Sequence, residues 1–262
     1  MTAKVSSVSR EELFALVLKR REQVHSFLAW ASQRELHGDS MYLANRNDIK
    51  DAKSAMTLFQ PELAWWAVVV FGCFSSLEST RAVSKILTDP TNPDKELVKS
   101  IPRSFLTVRG HRIQPAVRGA LEALQAAYEH SGFFRAVLLE PASFDDRFSK
   151  LRNEHLTQWG RTTCFDLLLR TGAIGIDGTY YEPEIAYLAD STGPSAGFEK
   201  IWGLNLTKQL TAWAEGLLQA WHRNWGAVVQ QVGARWTGRP YAPGDLENAL
   251  CIYQHKAKAT NC

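Results

Sequence analysis

Residues 151–203 hold the groups best suited to binding a charged ligand: LRNEHLTQWGRTTCFDLLLRTGAIGIDGTYYEPEIAYLADSTGPSAGFEKIWG. The pattern predicts a helix ending near Leu156, a short turn around Gly160 and a second helix over 162–170. Two helices joined in this way aim the first backbone N–H groups of the second helix at an anion. Those groups have no partner within the helix, and the dipole favours negative charge beside them. Thr162 and Thr163 add hydroxyl groups, and Arg161 adds a planar fork that matches phosphate oxygens. Taken alone, such residues more often make an ordinary helical corner with a solvated arginine.

Two further stretches offer contacts to a phosphate backbone or a base. In DSTGPSAGFEKIWG, Gly193, Ser195 and Gly197 are positions where a backbone could approach closely, although a plain connecting loop explains them nearly as well. In ARWTGRPY, Trp236 stands beside Arg235 and Arg239, which pairs a stacking ring with two phosphate-binding cations. The other tryptophans, Trp202, Trp213, Trp221 and Trp225, fall at helical spacings and read as core. Arg103, Arg109, His111, Arg112 and Arg118 form a second basic group, for which a solvated charged face is the simpler account.

The elements that must position these residues read as mainly helical. Leu13, Leu16, Val17, Val24, Phe27 and Leu28 recur at three-to-four spacing and predict an amphipathic helix over 11–32. A second helix is expected over 115–128, with Pro115 in its first turn. The chain has 262 residues, 45% hydrophobic and 22% charged, which excludes disordered, collagen-like and coiled-coil classes. A formal net charge of +3 permits an acidic partner without requiring one. The longest apolar run, AWWAVVVFGCF at 64–74, is far short of the roughly 20 residues of a membrane span and is expected in the core. DPTNPDK at 89–95 is the clearest loop and suggests a boundary between an N-terminal helical region, 1–95, and a region 96–262 that shares its core.

Cofactor chemistry has no support in the sequence. Cys73, Cys164, Cys251 and Cys262 are too dispersed for a zinc site or a four-cysteine iron–sulfur cluster. The seven histidines show no ligand pairing, and no phosphate-binding loop follows a strand. The dispersed thiols and the lack of an apolar leader at the first residues suggest a reducing, cytoplasmic setting.

LTQWGRTT, an apolar helix and then GIDG resemble the helix-hairpin-helix DNA glycosylase superfamily. Leu156 and Gly160 match its frame, and Asp177 follows Gly160 by seventeen residues, a shorter interval than the superfamily has before its catalytic aspartate. Gln158 stands where that superfamily has its first hairpin glycine, and a side chain there can distort the turn. A narrower resemblance is to the alpha-glutamyl/putrescinyl thymine pyrophosphorylases of phage DNA hypermodification. It is carried by Asp166, Leu167, Leu188, Ala189, Gly193, Pro194, Ala196, Gly197, Phe198 and Gly203. A second motif, DLENALCIYQHK, echoes that family through Asp245, Leu246, Glu247, Asn248, Leu250, Cys251, Tyr253 and Lys256, with Gln254 and His255 interrupting the pattern. The same branch is similar to phage-defence glycosylases that excise glucosylated hydroxymethylcytosine.

The resemblance implies an all-α, helix-hairpin-helix glycosylase-like fold that binds double-stranded DNA containing modified bases as a monomer, without a membrane or cofactor. It implies hydrolysis of an N-glycosidic bond, which develops cationic charge on the sugar and needs a carboxylate nearby. The target nucleotide must leave the base stack for that chemistry. Asp177, Glu184 and Asp166 are the candidate catalytic acids, with Asp190 in reserve. Each has a plainer role available: a tight turn at Asp177-Gly178, a first-turn helix acid at Glu184 after Pro183, a structural acid within a helix at Asp166. Glycosylases that also cut the strand usually carry a lysine where this chain has Thr162, so a monofunctional enzyme leaving an abasic site is expected. The hypermodified base, α-glucosyl-hydroxymethylcytosine, and a role in antiviral defence rest on the family alone. A phage enzyme that attaches an amine or amino acid to activated thymine is one alternative, and a DNA-binding module without chemistry is another.

Overall fold

The apolar run at 64–74 forms a helix, α4 (Ala64–Phe74), and every residue in it is buried. A helix that is hydrophobic all round must be surrounded. Four others pack on it: α3 (Asn47–Met56), α5 (Leu77–Ser84), α7 (Ala116–Glu129) and α8 (Ser131–Leu139). A fifth, α10 (Arg161–Ile174), packs on both α4 and α3. With α6 (Lys95–Ser100) and α9 (Phe144–Asn153) these make one compact unit, residues 46–182.

The computed structural model describes residues 6–38, 41–42, 45–91, 95–108, 116–178, 180–189 and 191–256. They hold fourteen α-helices and no strand, so the described fold is all-α. Pro115, Arg109, His111, Arg112 and Asp190 lie outside the described residues.

A second compact unit joins the two ends of the chain, up to Asn45 and from Pro183 onward. It contains α1 (Arg10–Lys19), α2 (Arg21–Leu36), α11 (Thr192–Trp202), α12 (Lys208–Arg223), α13 (Trp225–Val232) and α14 (Pro243–Lys256). Its core is aromatic: Phe27, Trp202, Trp221, Trp225, Tyr241 and Tyr253 are all buried. Trp221 lies 5.4 Å from Trp202, edge-on, and is stacked on Trp225 at 5.6 Å.

The units do not follow a boundary at 95/96. The proline-rich loop there joins α5 and α6 of one unit, because loop composition reports a break in the helix and says nothing of which helices share a core. Nor is 11–32 one helix: α1 ends and α2 begins at Arg20, whose φ of −117° breaks the helical path. Its guanidinium lies against Gly203, where an added Cβ would meet Nη2 at 2.1 Å.

Candidate nucleic-acid interface

The turn between α9 and α10 is built from both sides. Ser143 caps α9, accepting from the Asp146 N–H at 3.1 Å and donating to its carboxylate at 2.8 Å. Asp145 and Asp146 in the first turn and Lys150 and Arg152 in the last complement the helix dipole. After α9 the Trp159 N–H bonds to the Leu156 carbonyl at 3.0 Å, with Gln158 at φ +66°. A positive φ at the third residue of a hydrogen-bonded four-residue turn is the geometry that favours glycine. Gln158 therefore adopts the backbone a glycine would take, and the side chain does not distort the turn.

Two neighbouring side chains fasten this turn to α7. The Gln158 amide donates to Glu122 Oε2 at 2.8 Å, and the Trp159 indole N–H donates to the Ala123 carbonyl at 2.9 Å. Trp159 is buried against Phe134, with ring centroids 4.7 Å apart. Gly160 then takes the N-cap position of α10 in an extended conformation and supplies no side-chain cap. Thr162 is exposed, while Arg161 and Thr163 are half-buried. The Arg161 guanidinium stacks on Phe165, one turn along, 5.0 Å from its ring centroid. Cys164 in the same turn is buried, and burial pushes its thiol up to about 12, so it is no nucleophile at neutral pH.

The three candidate acids occupy different places. Asp166 lies five residues into α10, about 7 Å along the axis from its start. Its carboxylate sits 4.0 Å from Arg46 and 3.9 Å from Arg170, but both cations are bound more closely by Asp48. Arg46 makes two hydrogen bonds of 2.8 Å to Asp48, and Arg170 makes one of 3.0 Å. Burial pushes the Asp48 carboxyl upward, yet Arg46 and Arg170 together outweigh it and hold the group below the usual range.

The backbone of Asp177 lies in a 3-10 turn at the opposite end of α10, after Gly175 ends the helix at φ +72°. The sequence interval from Gly160 is spent along the helix, about 20 Å of it. Beyond Gly178 the chain turns back along α10: Gly172 lies so close to Tyr181 that a Cβ would meet its carbonyl oxygen at 2.0 Å. Glu184 does not open a helix. It lies in a bend, its side chain exposed, and the next helix begins only at Thr192.

Gly193, Ser195 and Gly197 belong to α11, where a connecting loop or a phosphate contact was expected. A Cβ on Gly197 would lie 2.1 Å from the Leu250 carbonyl, and one on Gly193 would lie 2.6 Å from Cys251 Sγ. The close approach these glycines allow is therefore to α14, and both are buried. Ser195 donates to the Leu188 carbonyl at 2.8 Å. Gly193, Pro194, Ala196, Gly197 and Phe198 of the first motif thus meet the second motif as the packed pair α11 and α14, while Asp166 and Leu167 lie on α10.

The ARWTGRPY stretch is also largely occupied by its own unit. Trp236 packs edge-on to Tyr241 at 4.9 Å and donates its indole N–H to the Arg239 carbonyl at 3.0 Å. Arg239 pairs with buried Asp245 at 2.8 Å and lies over Tyr42 at 4.5 Å. The ring is half-buried and packs against the aromatic core of its unit. Arg235 is exposed. In the other unit, Arg103 and Arg118 line a groove of about 460 Å³ with Lys99, Glu122 and Glu129.

Several anchors escape a reading by residue type. Trp159 shows one signal, a large aromatic inside a polar turn. Glu215 shows another, an acid at an apolar-face position of α12 between Ala214 and Leu217. It is buried and accepts backbone N–H groups from Ala186, at 2.8 Å, and from Leu188.

Comparison of the chain with protein-family models, curated proteins and solved structures finds no match to any of them. Among the described residues there is no group of three or more His, Cys, Asp or Glu side chains that could hold a metal ion. No helix among them is long and apolar enough to cross a membrane.

Proposed function

We propose that the chain is a helix-hairpin-helix DNA glycosylase that hydrolyses the N-glycosidic bond of a hypermodified pyrimidine and leaves an abasic site. The observation that carries this reading is the turn between α9 and α10. Gln158 holds a left-handed φ at the position where the resembled superfamily has glycine, and Gly160 caps α10 without a side chain. Such a helix start presents backbone N–H groups and a favourable dipole to a phosphate. Arg161 and Thr162 flank it with a cation and a hydroxyl.

The reacting carboxylate is one of Asp166, Asp177 and Glu184, and it acts on the sugar directly or through a water. Thr162 offers no amine for a covalent intermediate, which favours hydrolysis without strand cutting. The substrate, α-glucosyl-hydroxymethylcytosine in phage DNA, and the antiviral defence role follow the family resemblance. Double-stranded DNA carrying that base is the partner, the protein acting as a cytoplasmic monomer.

The test is to substitute Asp166→Asn, Asp177→Asn and Glu184→Gln separately and to measure base release and DNA binding together. One variant should lose release while retaining binding. Release unaffected by all three variants overturns this assignment of the acid, and a wild-type protein that binds but never releases a base is a DNA-binding module.

A further inference from the structure

The segment 183–189 has no regular secondary structure, yet it is held at alternate residues by one helix. Gln219 of α12 donates its amide to the Glu184 carbonyl at 3.0 Å. One turn earlier on the same helix face, Glu215 Oε2 accepts from the Ala186 N–H at 2.8 Å and Oε1 accepts from the Leu188 N–H. The residue between these two donors, Tyr187, has φ +52°. A left-handed residue turns the N–H groups on either side toward a common point, which makes a small anion-binding concavity of backbone. Here the anion is the chain's own carboxylate, buried to 2% exposure. Ser191 and Ser195 complete the hold by donating to the Leu188 carbonyl at 2.9 and 2.8 Å.

This is an elaborate fixing for a connector. A left-handed tyrosine costs energy that only surrounding contacts can sustain, and such strain is kept where a conformation matters. Glu184 is the exposed carboxylate of this connector, and its own carbonyl is fastened by Gln219. We propose that Glu215 and Gln219 are positioning residues that fix the backbone of residues 184–188 and so aim the Glu184 carboxylate as the reacting acid. The proposal rests on the glycosylase reading for its reaction, but the clamp itself is read without any substrate.

The test uses the full chain and the substitutions Glu215→Gln and Gln219→Ala. An amide at 215 matches the carboxylate in size but turns an NH2 group toward one of the two N–H donors. Gln219→Ala is the variant that folds in any case, since position 219 is only half-buried. Site-resolved hydrogen exchange at Ala186 and Leu188 should quicken about tenfold or more in Glu215→Gln, with the α12 amides within about twofold of wild type. On a modified DNA that the wild type cleaves, both variants should lose about tenfold or more in kcat with KM within about twofold, as loss of aim rather than of binding requires. Gln219→Lys, which keeps a donor, should restore kcat. Unchanged exchange at both amides, loosening of the whole of α12, or unchanged kcat in both variants overturns the proposal. If the wild-type chain releases no base from any DNA, the glycosylase reading falls; a clamp intact in exchange but serving no reaction then overturns the positioning role as well.

Discussion

The Trp159 indole donates to the Ala123 carbonyl at 2.9 Å, so a turn made mostly of polar residues is anchored in the core of its unit. The ring is the one buried side chain between exposed Gln158 and exposed Gly160. Trp159→Phe keeps most of the packing and loses the hydrogen bond, which should cost about 1–2 kcal/mol in denaturant unfolding. Trp159→Ala also leaves a cavity and should cost about 3–5 kcal/mol. If both variants unfold with the wild type, the turn is not anchored there.

Gln158 tests the turn itself. Its φ of +66° is a conformation that costs a side-chain-bearing residue about 1–2 kcal/mol. Gln158→Gly relieves that strain and gives up only an exposed bond to Glu122, so stability should hold or rise by about 0.5–1 kcal/mol with DNA affinity unchanged. A β-branched residue is worse placed there, and Gln158→Val should destabilise and weaken DNA binding. A glycine that lowers affinity would show that the amide, not the backbone, matters.

At the start of α10, a phosphate contact by Arg161 has an electrostatic signature. Arg161→Ala should weaken DNA binding similarly across sequences and reduce the slope of log affinity against log salt by about one. An unchanged slope would leave Arg161 as a packing residue on Phe165 alone.

Asp48 ties α3 to α10 through Arg170, and its contribution depends on pH. Its carboxyl is held below the usual value of 3.8 in the folded chain, lowered by Arg46 and Arg170 against the upward push of burial. The stability this gives is therefore present above about pH 4 and is lost as pH falls through the lower folded value. Asp48→Asn also leaves Arg170, with a side chain only 6% exposed, without its closest carboxylate. The variant should be less stable by about 1–3 kcal/mol at pH 7, reduced from a fully buried pair because Asp48 is partly solvated. Urea unfolding should show the gap to wild type shrinking near pH 2; a gap independent of pH would contradict the ion network.

The apolar run at 64–74 was legible as core, and its burial on every side as a helix places it at the centre of a unit, but an unbroken apolar run does not tell helix from strand. The turn between α9 and α10 was legible from Gly160 and the polar residues before it. What periodicity cannot convey is which helices share a core: the chain ends meet across more than a hundred residues, and the proline-rich loop marks no boundary. Gly193 and Gly197 suit a phosphate or a packed helix equally by type, and only the position of α14 decides between them. Glu184 shows the same limit, since Pro-Glu suggests a helix start while Glu215 and Gln219, about thirty residues on, hold that segment in an irregular, bent path. Side chains that bond distant backbone leave no local pattern.

The central claim is tested most directly by incubating the purified protein with phage genomic DNA bearing glucosylated hydroxymethylcytosine, hydroxymethylcytosine or plain cytosine. Abasic sites are scored by alkaline cleavage and released bases by mass spectrometry. The account predicts abasic sites confined to the DNA with the glucosylated base, together with the free modified base in solution and no strand cutting before alkali. Tight binding to all three DNAs with no base released from any of them would contradict it.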